Sequence, residues 1–569
     1  MISVSNREWG ERKFNENLVN KCSQDNNFSL ILSKLIVTRN FIDDEIYTIN
    51  NSKNVNFSNV FKFNSDFNKS IDLVIKNIKN KSKICILGDY DVDGSCATAL
   101  LIKFLKSINQ PLFFYIPDRI KDGYGPSIKL FKKIISKSPK LIIMVDCGST
   151  SIDAVNYLNE NNIDSLIIDH HQINKPFPKA NSIINPKKDN GYIKYDYMCA
   201  TSLTYFFLDL LIDKLNIKTN FILENFMIYV LLATVCDVMP LRFLNRIIAI
   251  KTLNKFQLNN VTPIKKIYEI LDIKKRISID DLGYLIGPIL NSGGRLSKSN
   301  YAADLLSTNN EKNMTSLINK LIKLNEQRKK IEQKILEEID FNKIEKENKK
   351  IIIIYKLNLN EGLIGIIAAR LKEYFNKPVI VITNSNDFLK GSARSTPNFD
   401  IGLAINNAFD QKLIISGGGH KMAAGFSLKK SKLEDFINGM NTLYSKGNID
   451  NEKNLFFYES KISTTAFNKD FYNEINKLTP FGTGNNEPLF LFEKLKIVKA
   501  KIVKKKHITN FFKSKNGFLI QSISFNSTNT KIGEYLLNYK KEISVIGQIK
   551  ENFWNNKSSL QLTVRDLII

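Results

Sequence analysis

Five acidic residues in the first half of the chain follow short apolar segments that are typical of buried β-strands. The segments and their acidic residues are Ile84–Leu87 with Asp89, Asp91 and Asp93, Leu141–Val145 with Asp146, and Leu166–Ile168 with Asp169. In an open parallel sheet, ligands bind outside the carboxyl ends of the strands. Carboxylates that converge there repel one another unless cations neutralise them. The pattern therefore predicts a site for divalent metal ions.

The use of histidine supports the same site. The chain has four histidines, and two of them form the sequence Asp169-His170-His171 at the end of a predicted strand. Mixed carboxylate and imidazole ligands suit Mn²⁺, whereas Mg²⁺ binds where oxygen ligands and water suffice. A further carboxylate, Asp237, follows the apolar run Tyr229–Val235 and is expected to join these ligands.

The first acidic cluster has an alternative interpretation as a calcium-binding loop, because residues 89–94 match the opening of an EF-hand. Position 12 of that loop would be Leu100, where an EF-hand requires a bidentate glutamate, and an apolar strand precedes the cluster. The EF-hand interpretation therefore fails. The glycine run at 417–419, before His420, is compatible with a flexible turn as well as with a binding loop.

The elements that position these residues can be read from periodicity. Alternating strand and helix patterns in the first half are typical of an α/β fold with a doubly wound parallel sheet. Residues 309–350 have leucine and isoleucine at helical spacing and predict a long linker helix. A second, small α/β domain opens at Ile351–Tyr355, and short alternating segments near the end predict a small β-barrel. The expected domains are 1–308, with an N-terminal extension, the linker 309–350, and then 351–450 and 451–569.

Composition narrows the class of partner. The 82 lysine and arginine residues exceed the 56 acidic residues and give a net charge of +26, which favours a polyanion such as nucleic acid. Lysine, asparagine and isoleucine are all abundant, so compositional drift is an alternative source of this charge. The six cysteines form no CxxC pair. The sequence shows neither a membrane-length apolar run nor a signal-peptide pattern, and a cytoplasmic location is expected.

Several motifs resemble those of the DHH phosphoesterase family, and their order is similar to that of its RecJ-type members. They are GDYDVDG at 88–94, DGYG at 122–125, VDCGST at 145–150, DHH at 169–171, TVCDVMP at 234–240, LNSGGRL at 290–296, KGSARS at 390–395, GGHKMAAG at 418–425 and PFGTGNNEP at 480–488. The resemblance runs from about residue 50 to the end. It implies a DHH catalytic domain, a linker helix, a DHH-associated domain and a C-terminal OB-fold for single-stranded nucleic acid.

The resemblance also implies an activity, which is single-strand-specific 5′→3′ DNA exonuclease action with release of 5′-mononucleotides, in DNA repair and recombination. Two Mn²⁺ or Mg²⁺ ions would serve the hydrolysis. The implied metal ligands are Asp89, Asp91, Asp93, Asp146, His170 and Asp237. The implied catalytic residues are Asp93, His170 and His171, of which His171 is expected to contact the scissile phosphate.

Residues for DNA binding follow from the same resemblance. Those implied at the 5′ end are Arg119, Tyr124, Arg295, Ser392, Arg394 and His420, and the arginines suit bidentate phosphate contacts. Candidates on the OB-fold are Lys504, Lys505, Lys506, Phe511, Phe512 and Trp554. The implied partners of a monomeric enzyme are single-stranded DNA, a single-strand DNA-binding protein and a helicase.

The chain departs from the family pattern at a few positions. Asn360 stands where a histidine is usual, and Ala200, Ser202 and Ala393 stand where glycines are usual. Two other functions compete: a phosphodiesterase for very short oligonucleotides or cyclic dinucleotides, and a metal-free nucleic-acid-binding scaffold. The C-terminal domain with PFGTGNNEP disfavours the first, and the complete set of expected ligands disfavours the second.

Overall fold

The computed structural model describes residues 1–118, 122–123, 125–188, 192–217, 219–256, 262–385, 387–446, 455–554 and 557–569. The strands are β1 (Glu8–Glu11), β2 (Ile84–Leu87), β3 (Leu112–Tyr115), β4 (Leu141–Val145), β5 (Asp164–Ile168), β6 (Ser182–Ile184), β7 (Ile352–Tyr355), β8 (Val379–Ser385), β9 (Phe388–Arg394), β10 (Ser416–His420), β11 (Ala423–Leu428), β12 (Leu455–Tyr458), β13 (Ser460–Lys461), β14 (Phe490–Val503), β15 (His507–Lys513), β16 (Leu519–Ser524), β17 (Ile543–Trp554) and β18 (Lys557–Ile568).

The α-helices surround these strands. They are α1 (Glu16–Asn26), α2 (Leu30–Thr38), α3 (Asp43–Asn50), α4 (Ser65–Lys79), α5 (Val92–Ser107), α6 (Ile128–Ile135), α7 (Ile152–Glu160), α8 (Ala200–Leu215), α9 (Met227–Cys236), α10 (Phe243–Lys255), α11 (Pro263–Ile270), α12 (Ile279–Asp281), α13 (Gly287–Leu290), α14 (Ser292–Leu296), α15 (Tyr301–Ser307), α16 (Glu311–Glu337), α17 (Phe341–Glu347), α18 (Ile364–Phe375), α19 (Ile401–Asp410), α20 (Leu433–Lys446), α21 (Lys469–Asn476) and α22 (Lys531–Asn538). None of the described helices is long and apolar enough to span a membrane.

The chain divides into two compact units. One consists of Phe57–Met239 with Thr252–Ile449, and the other of Met1–Asn56 with Pro240–Lys251 and Asp450–Ile569. The first 56 residues therefore group with the C-terminal part, which differs from the expected domain 1–308. The physical reason is that Leu32 and Leu35 of α2 are fully buried in the same apolar core as the C-terminal strands.

The first unit begins with a parallel sheet in the strand order β3-β2-β4-β5-β6. Every residue of β2 and β4 is buried, as expected for strands in a sheet that is covered on both faces. The predicted strands at Ile84–Leu87 and Leu141–Val145 are confirmed, and β5 begins two residues before the predicted segment. Because β2, β4 and β5 are parallel neighbours, their carboxyl ends lie at one edge of the sheet.

The same unit ends in a small α/β domain. Its sheet has the order β10-β11-β9-β8-β7, with a parallel pair, β7 and β8, at one side. The predicted linker contains the 27-residue helix α16 followed by α17. Glu332 of α16 binds Arg328 of the same helix and Arg370 of α18, each at 2.9 Å, so an ion-pair network joins the linker to the small domain.

The second unit contains the predicted β-barrel. Its sheet runs β13-β14-β15-β16-β18-β17, and β14 also pairs with β17, which closes the barrel. The barrel interior is apolar and includes Phe490, Phe512 and Leu567. The predicted fold class, a parallel-sheet α/β domain followed by a small α/β domain and a closed barrel, is confirmed.

Candidate active site

The acidic residues that follow β2 are placed by a tight connection into α5. Asp91 is the N-cap of this helix, and its carboxylate accepts the backbone N–H of Gly94 at 3.0 Å. A Cβ atom on Gly94 would lie 2.6 Å from the backbone nitrogen of Asp89, so only glycine permits this close crossing. The connection therefore brings Asp89 and Asp91 to the carboxyl edge of the sheet.

Asp146 and Asp237 reach the same place from two different elements. Asp146 directly follows β4 and has a positive φ of 61°, which is a strained backbone conformation for a residue other than glycine. Asp237 caps the C-terminus of α9, so the apolar run before it is a helix. Both side-chain oxygens of Asp146, and Oδ2 of Asp237, are buried without a hydrogen-bond partner among the described residues.

His170 lies at the centre of these carboxylates. Its Nε2 atom is 3.3 Å from Oδ1 of Asp146, 3.4 Å from Oδ2 of Asp237 and 3.8 Å from Oδ2 of Asp93. Neither ring nitrogen of His170 has a hydrogen-bond partner among the described residues, although the side chain is almost completely buried. Buried imidazole and carboxylate atoms without protein partners are expected where a cation binds.

Asp93 is held in place by the start of α8. Its two carboxylate oxygens accept the backbone N–H groups of Ala200 and Thr201, each at 2.7 Å. The positive end of the helix dipole stabilises a carboxylate there. Asp93 therefore has its charge partly satisfied by the protein, while it still faces His170.

Asp169 has a different role from the other strand-end acids. Its Oδ1 atom lies 2.8 Å from Nδ1 of His171, and its Oδ2 atom accepts the backbone N–H of Ser149 at 3.1 Å. Asp169 is absent from the candidate metal groups in the described structure. Its carboxylate orients the ring of His171, whose side chain is 46% exposed.

The electrostatics of the site match a crowded set of carboxylates. Burial, followed by the charges of Asp93 and Asp91, raises the pKa of Asp237 to about 8 and that of Asp146 well above its usual value. Burial lowers the pKa of His170 to about 4. Without cations, the site therefore favours protonated carboxyls beside a neutral imidazole.

The residues present fit a divalent metal. Three overlapping groups could each hold an ion: Asp89, Asp91 and Asp146; Asp93, His170 and Asp237; and Asp146, His170 and His171. Within each group the ligand atoms lie within 4.8 Å of one another. All six predicted metal ligands are members of these groups, and oxygen ligands with one or two imidazoles suit Mn²⁺ or Mg²⁺.

A cavity of about 230 Å³ connects the acidic cluster to residues predicted at the 5′ end of DNA. Its walls include Asp91 and Asp237 together with Arg295, Ser392 and Arg394. Arg394 donates to the side chain of Ser392 at 3.2 Å. Carboxylates and guanidiniums therefore share one space, and an anionic group bound to the arginines would lie next to the acidic cluster.

The remaining residues predicted at the 5′ end have different outcomes. His420 is exposed, and in the β10–β11 and β9–β11 registers both it and Arg394 pair with Ala423. Although the side chain is exposed, partial desolvation by neighbouring protein atoms, followed by the charges of Arg394 and Lys187, lowers the pKa of His420. Arg119 and Tyr124 lie outside the described residues.

The departures from the family pattern are accommodated locally. Ala200 and Ser202 are fully buried in α8, and Ala393 is part of the apolar core of the small domain. None of these residues, nor Asn360, has a positive φ. The side chain of Asn360 accepts the backbone N–H of Gly362 at 2.8 Å, and the carbonyl of Gly362 in turn accepts from Arg295 at 3.1 Å.

Three parts of the chain match known domain families. The chain matches the N-terminal domain of the DHH family over residues 83–234, the DHHA1 domain over 348–446 and the RecJ OB domain over 458–566. These ranges contain, in order, the parallel sheet with its acidic cluster, the small α/β domain and the barrel. The chain belongs to the DHH family, with the domain set of RecJ. It is therefore a metal-dependent nuclease of the hydrolase class.

Curated relatives in the DHH family extend over most of the chain. The single-stranded-DNA-specific exonuclease RecJ of Bacillus subtilis is 26% identical over 100% of this chain and 71% of its own length. The protein of the same name from Haemophilus influenzae is 29% identical over 87% of this chain and 89% of its own length. RecJ of Thermus thermophilus in complex with Mn²⁺ has the same fold, with a TM-score of 0.81 at 20% identity over 99% of this chain and 78% of that one.

Some residues of this DHH site were not found from the sequence. Ser149, Asn185 and Lys187 surround the histidine pair, and Cys236 and Asn291 line the cavity. Ser149, Cys236 and Asn291 lie within the motifs at 145–150, 234–240 and 290–296, which was the available signal. Asn185 follows β6, a strand that the sequence analysis did not predict. On the barrel, Phe512 is buried in the core and is corrected from a stacking candidate to a core residue, whereas Phe511 is 40% exposed. The side chain of Trp554 lies outside the described part of the structure.

Proposed function

We propose that this protein is a single-strand-specific 5′→3′ DNA exonuclease that releases 5′-mononucleotides by two-metal hydrolysis. The observation that carries the proposal is the shared cavity, in which Asp91 and Asp237 lie with Arg295 and Arg394. Metal ions on the carboxylates and a terminal phosphate on the guanidiniums would place the first internucleotide bond between the two charged groups. The relatives from Bacillus subtilis and Haemophilus influenzae are both named as single-stranded-DNA-specific exonucleases. These names support the proposed activity.

Two ions are proposed because the carboxylates divide into two sets. Asp89, Asp91 and Asp146 form one group, and Asp93, His170 and Asp237 form another. When bound, the ions supply a water nucleophile at neutral pH and neutralise negative charge on the phosphate. Most of these side chains are buried, so the protein fixes the positions of the ions before DNA arrives.

His171 is proposed to contact the scissile phosphate or the leaving oxygen. The carboxylate of Asp169 occupies Nδ1 of the ring, which leaves Nε2 for the substrate. Burial lowers the pKa of His171, but its hydrogen bond to Asp169 and the charge of Asp169 outweigh burial and raise the pKa to about 9. A protonated His171 would donate a hydrogen bond to an oxygen that gains negative charge.

Polarity is proposed to come from Arg295, Ser392 and Arg394 at the 5′ end, with His420 beside them. Guanidinium groups make planar, bidentate bonds to phosphate that lysine does not make. This explains the use of arginine in a chain where lysine is far more common. A substrate with a 5′-phosphate would therefore be held with its first phosphodiester bond at the acidic cluster.

The barrel is proposed to hold the DNA strand through an exposed face of β14 and β15. Phe511 projects from this face and pairs with Lys499 in the strand register, while Lys501 pairs with Thr509. Aromatic rings stack on bases and lysines neutralise phosphates, which together bind single strands without sequence preference. We further propose that the protein acts as a monomer in the cytoplasm, in DNA repair and recombination. Its proposed partners are a single-strand DNA-binding protein and a helicase.

The test is incubation of the purified protein with single-stranded and duplex DNA, labelled at either end, in Mn²⁺, Mg²⁺ or EDTA. We expect mononucleotides to appear first from the 5′ end of the single strand, and no products in EDTA. A matched set of dinucleotides and cyclic dinucleotides serves as the competing substrate. Faster turnover of dinucleotides than of long single strands, or release from the 3′ end, would contradict the proposal.

A further inference from the structure

The backbone of the two histidines lies beyond the last paired residue of β5 and is held by side chains. The N–H groups of His170 and His171 both donate to Oδ1 of Asp169, at 2.8 and 3.2 Å. A buried backbone group that has no partner in a sheet needs another partner. For the two N–H groups, that partner is the same carboxylate that orients the ring of His171.

The two carbonyl groups of this turn are bound by residues that follow β6. Nζ of Lys187 donates to the carbonyl of His170 at 2.6 Å, and Nδ2 of Asn185 donates to the carbonyl of His171 at 2.9 Å. All four backbone polar groups of the histidine pair are therefore hydrogen-bonded to three side chains. The positions of the imidazoles depend on Asp169, Asn185 and Lys187.

Asn185 is itself fixed by a closed ring of hydrogen bonds. Its Nδ2 atom also donates to Oγ of Ser149 at 2.8 Å, and the N–H of Ser149 donates to Asp169. The side-chain oxygen of Asn185 accepts the N–H of Lys187 at 2.9 Å, which places the lysine. Asn185, Ser149 and Asp169 are all less than 7% exposed, so water competes little with these bonds.

We propose that Asn185 and Lys187 are positioning residues that hold the backbone of His170 and His171 and thereby keep His170 among the metal-binding carboxylates. Nε2 of His170 lies 3.3 Å from Asp146 and 3.4 Å from Asp237, so a small shift of this backbone moves a ligand away from both. A protonated lysine has no lone pair for a cation, and Lys187 therefore acts through the histidine. The inference rests on the metal site of the proposed function.

The neighbouring lysine provides a matched control. Lys188 is also half-buried, but its Nζ donates to Asp66 at 2.6 Å and has no bond to the histidine turn. The experiment compares Lys187→Met, Lys187→Arg and Lys188→Met in the full-length protein. Three quantities are measured for each: Mn²⁺ affinity by calorimetry on metal-free protein, kcat and KM on single-stranded DNA, and the melting temperature.

We expect Lys187→Met to weaken Mn²⁺ binding and to lower kcat, each by about 10- to 100-fold, as is usual when a group that orients a metal ligand is removed. KM should stay within about twofold of wild type, Lys187→Arg should recover most of both losses because it keeps a donor, and Lys188→Met should match wild type. Asn185→Ala should behave like Lys187→Met if it folds, and its melting curve establishes whether it does.

Two outcomes overturn the inference. One is wild-type Mn²⁺ affinity in Lys187→Met, which would show that the lysine does not position a ligand. The other is a rise in KM alone, which would show that Lys187 binds DNA directly. Metal binding is measured without DNA, so the two proposals can fail separately. If wild type does not degrade single strands but Lys187→Met still loses Mn²⁺ affinity, the proposed function is refuted and this inference stands.

Discussion

Nδ1 of His171 lies 2.8 Å from Oδ1 of Asp169, within a turn whose N–H groups bind the same oxygen. The bond fixes both the orientation of the ring and which ring nitrogen is left for the substrate. Burial raises the pKa of Asp169, but its hydrogen bond to His171 and the charge of that ring outweigh burial and hold the pKa below its usual value. Asp169 is thus an ionised partner of His171, and it belongs to none of the candidate metal groups of the described residues.

Asp169→Asn should lower kcat by about 10- to 100-fold with little change in KM, because the amide keeps the shape but not the charge that orients His171. The pKa of His171 in the metal-free protein should fall from about 9 toward its ordinary value of 6.5. Steady-state kinetics and NMR titration of the histidines measure the two effects. An unchanged His171 pKa would contradict the assignment of Asp169.

Asp146→Asn should lower hydrolysis by at least roughly a thousandfold, because the side chain belongs to two of the candidate metal groups. In the metal-free protein, the same change should raise the melting temperature near neutral pH, since it removes a group whose pKa is raised by burial and which ionises more easily in the unfolded chain. Asp153→Asn, on the exposed face of α7, is the control and should leave both quantities unchanged. Full activity of Asp146→Asn with metal present would refute the assignment of this ligand.

The pH dependence of metal binding should follow the raised pKa of Asp237. This carboxyl has an ordinary pKa of 3.8 and a folded-state value of about 8. Its burial therefore destabilises the metal-free fold progressively as pH rises from about 4 toward 8, because the unfolded chain ionises more easily. Cations need the ionised form. The increase in melting temperature on adding Mn²⁺ should be larger at pH 8.5 than at pH 6, and a smaller increase at high pH would contradict this.

Arg394→Ala should narrow the difference in rate between 5′-phosphorylated and 5′-hydroxyl single strands. A charge-assisted bond to phosphate is worth roughly 1.5–3 kcal/mol, so its loss should slow the phosphorylated substrate about tenfold or more. Lys432→Ala, in an exposed ion pair of the same domain, is the control. The measurement is the initial rate on each substrate. If neither wild type nor Arg394→Ala distinguishes the two 5′ groups, Arg394 does not bind the 5′-phosphate.

Phe511 and its neighbour Phe512 should respond differently to truncation. Phe511→Ala should weaken single-strand binding by roughly 5- to 150-fold, since stacking on one base is worth about 1–3 kcal/mol, with little effect on melting temperature. Phe512 is fully buried, and Phe512→Ala should lower the free energy of unfolding by about 3–5 kcal/mol. Fluorescence anisotropy and thermal melts separate the two. Wild-type DNA affinity in Phe511→Ala would show that the DNA strand does not bind the face formed by β14 and β15.

The site residues that could be predicted from the sequence are those that follow a recognisable apolar strand. The strands β2 and β4 have uninterrupted apolar sequences, and in a parallel sheet the residues that follow such strands meet at one edge. Asp91 and Asp146 were therefore found without any three-dimensional information. The barrel was predicted for a similar reason, because alternation of apolar and polar residues identifies half-buried strands.

The sequence by itself determined the order of the domains, the acidic residues at the ends of apolar runs and the histidine pair, since each was identified from a local pattern in the chain. Tertiary structure alone decided that Asp169 serves His171, that the N–H groups of α8 hold Asp93, and that α2 packs with the barrel. It also placed Arg394 in the cavity beside Asp91, although about three hundred residues separate them in the sequence. The physical reason is that a local pattern identifies an element and the residues at its end, whereas side-chain conformation and the packing of distant elements decide which groups meet.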